Sequence, residues 1–109
     1  MSLLLRTSSG STEAVISDEG SLRDFYHVAN ILTQDFAVLF HEKLDDFDTI
    51  YWDFKFKNRA LTLHYNIYNG ITIFPTKIKD AGSKDNKAVV ELAGLLENKL
   101  FNQDLRNIA

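Results

Sequence analysis

Between residues 50 and 56 every second position is apolar: Ile50, Trp52, Phe54 and Phe56 alternate with Tyr51, Asp53 and Lys55. The alternation returns in Leu61, Leu63, Tyr65 and Ile67, and a third run leads to the only proline, Pro75. A period of two marks a strand with one covered face. Asn58-Arg59 and Asn69-Gly70 separate the three runs. Read as two-residue turns, they predict an antiparallel β-meander over about residues 49–75. Asn-Gly is the stronger signal, because a type I′ turn needs positive φ at both central positions. This register sets Phe56 opposite Leu61, Phe54 opposite Leu63, Trp52 opposite Tyr65 and Tyr65 opposite Phe74. All of these share one apolar face.

The period changes on either side of the meander. Ser21 is placed as a helix N-cap with Asp24 three residues on, in the position of a capping-box acid. Leu22, Phe25, Ala29, Leu32, Phe36, Leu39 and Phe40 then recur at spacings of three and four, which predicts a helix over about residues 22–43. Val89, Leu92, Ala93, Leu96 and Leu100 form a second stripe, and a helix over about 86–100. Gly94 inside it reads as a point of close packing, and Phe101, Leu105 and Ile108 either extend the helix or dock as a tail. Near the N-terminus, Leu3–Arg6 and Thr12–Ser17 read as short strands around the turn-forming Ser8-Ser9-Gly10-Ser11. Residues 1–11 are the part expected to be flexible. The order predicts one α+β domain over residues 1–109. It is a two-layer sandwich, with the meander and N-terminal strands forming a sheet and both helices packed on one face.

Composition sharpens this only in part. Hydrophobic residues make up 45% of the 109, enough to fill one core. There is no cysteine, which excludes disulfides, thiolate metal sites and cysteine nucleophiles and fits a reducing compartment. The apolar run Leu3-Leu4-Leu5 is too short for a signal segment, and no stretch approaches the ~18 apolar residues of a membrane span. No membrane is therefore expected, and a cytoplasmic location is the default. The net charge of −3 argues against nucleic acid as a partner. Its distribution is uneven: acidic residues dominate from Glu13 to Asp48, whereas Lys55, Lys57, Arg59, Lys77, Lys79, Lys84 and Lys87 follow. An acidic end and a basic end are expected.

The predicted register also assigns the second face of the meander. It sets Asp53 opposite His64, Tyr51 opposite Asn66, Asn66 opposite Ile73 and Tyr68 opposite Ile71. A carboxylate across from an imidazole is an orienting pair for a catalytic base, and Tyr51 would add a donor. A solvated polar pair is the simpler reading, since no nucleophile motif, phosphate loop or dinucleotide fingerprint is present and no cofactor is implied. Tyr51, Asn66, Tyr68, Ile71 and Ile73 together would form a partly apolar patch. Its expected cover is a protein partner or a second copy as a homodimer, the N-terminal segment being the intramolecular alternative. In "HEKLDDFD", residues 41–48, His41 and Asp45 lie four apart and would share a helix face as metal ligands. A solvated acidic end again explains the cluster more simply. The functional expectation is a small non-enzymatic interaction protein: an adaptor, a chaperone-like protein or a toxin antagonist. The alternatives are a small enzyme or ligand-binding domain around Asp53 and His64, and a single-stranded nucleic-acid binder stacking bases on Tyr51 and Tyr68.

Overall fold

A computed structural model describes residues 4–8, 10–17, 21–46, 48–77 and 82–108, without the side chains of residues 4, 7, 8 and 101–108. The elements are β1 (Leu4–Ser8), β2 (Ser11–Ser17), α1 (Leu22–Asp35), β3 (Phe40–Asp45), β4 (Thr49–Phe56), β5 (Arg59–Asn66), β6 (Gly70–Pro75) and α2 (Ser83–Ile108). The strands form one antiparallel sheet in the order β1-β2-β6-β5-β4-β3. Both helices contribute to a single core with the same face of that sheet. The α+β sandwich expected from the pattern is the fold observed. No helix among the described residues is long and apolar enough to cross a membrane.

The connection through α1 explains the strand order. β2 and β3 are four strand spacings apart, roughly 19 Å at ~4.8 Å each. A 14-residue helix reaches about 21 Å at 1.5 Å per residue. α1 therefore carries the chain under the sheet to its far edge. It starts at the expected capping box: Ser21 Oγ accepts from the Asp24 amide at 3.2 Å, and Asp24 Oδ2 accepts from the Ser21 amide at 3.1 Å.

α1 ends at Asp35, well before the expected residue 43. Ala37 turns left-handed at φ 55°, and the Val38 amide folds back to the Leu32 carbonyl at 3.0 Å. No glycine or asparagine announces this stop. Phe36, Leu39 and Phe40 continue the helical spacing, but Phe36, Val38 and Phe40 also alternate. The second pattern prevails because β3 places Phe40 against Trp52 (5.2 Å between ring centroids) and Phe54 (5.5 Å).

The two meander turns differ from expectation in different ways. The first is Lys57-Asn58, with φ of 49° and 67°, so Phe56 pairs with Arg59 and Phe54 with Leu61. This slides the register by two residues and preserves the faces. Trp52, Phe54, Leu61 and Leu63 all reach the core.

The second turn changes the faces. The Asn69 amide bonds to the Asn66 carbonyl, Asn66 Oδ1 accepts the Tyr68 amide at 2.8 Å, and Gly70 follows at φ 78°. This is a type I turn closed by a left-handed glycine, giving a three-residue loop. Tyr65 then pairs with Ile71 and Leu63 with Ile73. Ile71 and Ile73 are 0% exposed in the core rather than on the second face. Thr72 and Phe74 take the outer positions. In this parity the core receives two isoleucines and no hydroxyl, while Thr72 bonds to His64 on the outer face.

The N-terminal hairpin extends the sheet alongside β6 instead of lying over it. Asn86 in the first turn of α2 ties it down: its Oδ1 accepts the Thr12 amide at 2.9 Å and its Nδ2 donates to the Gly10 carbonyl at 2.7 Å. α2 continues through Ile108, so residues 101–108 extend the helix. Gly94 does not mark close packing, because an added Cβ would meet nothing within 4 Å.

Three outcomes follow for stability measured by chemical denaturation. Ile73→Asp abolishes cooperative folding, whereas Tyr68→Asp at the exposed loop tip shifts the midpoint little. Asn86→Ala costs about 1–3 kcal/mol by leaving two backbone groups of the hairpin without their partner. Gly94→Ala stabilises by up to ~1 kcal/mol, as expected for helix propensity gained in open space.

Candidate functional site

With both helices on one side, the other face of the sheet holds the chemistry-bearing side chains. The strand registers align one residue per strand across it: Leu44 pairs with Tyr51, Tyr51 with His64, His64 with Thr72, Thr72 with Val15, and Val15 with Leu4. Tyr51 and His64 stack with ring centroids 4.6 Å apart, and the Phe74 ring lies 5.6 Å from His64. Val15 and Phe74 are buried, yet neither belongs to the main core cluster. Phe74 lies beside the His64 ring, and Val15 continues the row on the far side of Thr72. Leu44 is 62% exposed and Tyr51 39% at the β3 end of the row.

A polar network runs beside this row. Thr62 Oγ1 donates to Asp53 Oδ1 at 2.6 Å and lies 2.9 Å from Thr76 Oγ1. Because the single Thr62 proton goes to the carboxylate, the Thr76 hydroxyl is the donor to Thr62. His64 Nδ1 lies 3.1 Å from Thr72 Oγ1. Asn66 Nδ2 donates to Thr49 Oγ1 at 3.1 Å. Burial holds the His64 pKa below its ordinary value of 6.5.

The expected Asp53–His64 pair is not formed. The two-residue slide in the first turn places Thr62 opposite Asp53 and brings His64 opposite Tyr51. Each group bonds to a threonine instead, so Asp53 does not orient the imidazole. Of the expected patch, Tyr51 lies in the row and Asn66 builds the turn. Tyr68 sits at the loop tip, and Ile71 and Ile73 are in the core. Sequence reasoning missed Val15, Leu44, Thr72 and Phe74. The first lacked a placed neighbour, Leu44 lies just past the helix expected over residues 22–43, and the last two moved with the parity of the second turn.

His41 and Asp45 lie on β3, not on one helix face. Four residues of strand separate them by roughly 13 Å, too far to share an ion. Asp45 Oδ1 instead accepts from Trp52 Nε1 at 2.7 Å. Among the described residues no group of three or more His, Asp or Glu side chains is arranged to hold a metal.

The basic end gathers around the start of α2, where Lys57, Arg59, Lys84 and Lys87 line an open groove of roughly 890 Å³. Lys57 is paired with Glu91 at 2.6 Å and Arg59 with Asp85 at 3.6 Å, which neutralises half of that charge locally. None of the groove's described lining residues is aromatic, so it offers no stacking platform for bases.

No protein-family model, curated protein or solved structure matches the chain.

The depressed His64 pKa sets a sign for the pH dependence of folding. The unfolded chain takes up the proton near pH 6.5, while the folded state resists it. The stability contribution is complete above pH 6.5 and is lost as pH falls through the lower folded-state value. In denaturation midpoints measured between pH 8 and pH 5, His64→Gln flattens part of the acid-side decline.

Proposed function

We propose that the protein is a small non-enzymatic interaction protein whose working surface is the helix-free face of the sheet. The observation that supports this reading is the row Leu44–Tyr51–His64, exposed at one end and continuous with the buried Val15 and Phe74. Aromatic and aliphatic side chains in one row suit contact with another polypeptide, because such surface gains most by leaving water. Asp53 and His64 are engaged by threonines, and the ligand-binding or catalytic alternative loses the pairing on which it rested. The occupant is a protein partner or a second copy, in an adaptor, chaperone-like or toxin-antagonist role. The absence of cysteine favours work in the cytoplasm.

The test is a benzophenone amino acid placed at position 51 in cells, with position 26 on α1 as the comparison. A discrete cross-linked polypeptide from position 51 and none from position 26 supports the reading. Equal labelling from both, or none from position 51, overturns it. Tyr51→Arg should weaken the same complex by about tenfold or more while leaving the thermal midpoint almost unchanged.

A further inference from the structure

The sheet ends on one side at β3, and none of the described strands pairs with its outer edge. Edge strands invite pairing unless charge, bulges or shortness protect them. β3 has a bulge between Phe40 and Glu42 and exposed charges at Glu42 and Lys43. It also has two apolar side chains that such protection does not explain: Leu44 is 62% exposed, and Leu39, immediately before the strand, is 81% exposed. The segment Leu39-Phe40-His41-Glu42-Lys43-Leu44 is chemically self-complementary when read against its own reverse. A twofold axis between His41 and Glu42 sets Leu39 against Leu44, Phe40 against Lys43 and His41 against Glu42.

We propose that two copies of the chain pair antiparallel through β3 in this register, joining their sheets into one. Phe40 and Lys43 both lie on the helix side, since they pair with Phe54 and Trp52. The bulge at His41 makes that possible for residues three apart. An arbitrary strand would meet the bulge as a mismatch, whereas a twofold-related copy carries the same irregularity in the matching place. Neighbouring registers are worse. A shift of one residue sets Glu42 against Glu42 or His41 against His41. A shift of two opposes Glu42 to Lys43, which lie on opposite faces because they pair with Asp53 and Trp52. Lys43 already has its ammonium 4.3 Å from the Trp52 ring centre, so its stem is held along the edge where Phe40 of the second copy arrives. The pairing also sets the two Leu44–Tyr51–His64 rows side by side. It stands whether or not that face has a partner of its own.

The interface is small, so the dimer belongs to the weak class that dissociates on dilution. Light scattering and sedimentation of the full chain across a dilution series should show a reversible monomer–dimer equilibrium. His41→Glu should weaken it by about tenfold, because it sets two carboxylates together across the axis, and Glu42→Lys should weaken it by removing the acceptor that His41 faces. The double variant sets Glu against Lys at the same two places and should recover the dimer. Circular dichroism should be unchanged throughout, since both positions are exposed. A monomer at every concentration overturns the proposal, as does failure of the double variant to recover. A dimer indifferent to both single variants but lost in Tyr51→Arg would place the twofold axis on the sheet face, which also overturns it. Cross-links from position 51 that persist in Glu42→Lys separate a distinct partner from the edge contact.

Discussion

The turn from Asn66 to Gly70 decides which side chains of the last strand meet the helices. A strand shows alternate residues to alternate faces, so one residue more or less in the loop exchanges its two sets completely. With three loop residues and a left-handed Gly70, Ile71 and Ile73 join Leu63 and Tyr65 under the helices. β2 then pairs with β6 so that Ala14 lies beside Ile73 in the core and Val15 beside Thr72 outside it. The placement of the N-terminal hairpin follows from that choice, and so does the composition of the free face. Asn66 is central to the turn, because its carbonyl and its side-chain oxygen each hold a backbone amide of the loop.

Aromatic packing secures the other half of the molecule. Phe25 of α1 meets Trp52 edge to face with centroids 5.0 Å apart, and Phe40 closes on Trp52 from β3. Trp52 also donates its indole hydrogen to Asp45 and lies under Lys43. One residue of β4 thus fixes both the end of the α1 crossover and the path of the edge strand. That explains how a strand with little burial of its own remains attached to the sheet.

The free face combines two chemistries that compact domains usually separate. Its centre is shielded, with Val15, Thr62, Thr72 and Phe74 buried on the face opposite the main core cluster. Threonine hydroxyls bond to Asp53 and His64 there, so both groups have partners within the fold. What remains outward at the β3 end is Leu44 and Tyr51. For the interaction role proposed above, such a surface offers shape and apolar contact.

The local patterns in this sequence determined the elements: the capping box at Ser21 and Asp24, the alternation from Ile50 to Phe56, the stripe from Val89 to Leu100, and hence an α+β sandwich with both helices on one face. Their signals lie within a few residues of one another, where spacing alone states which side chains share a face. The first turn was legible to within a two-residue slide, which spared the faces but separated Asp53 from His64. The tertiary structure alone decided the rest. The end of α1 depended on Phe40 finding Trp52 and Phe54, contacts that span more than ten residues of chain. The parity of β6 depended on which pair, Ile71 and Ile73 or Thr72 and Phe74, the assembled core would accept. Asn69-Gly70 satisfies more than one turn geometry, so the choice between them belongs to the packing of the whole sheet against its helices.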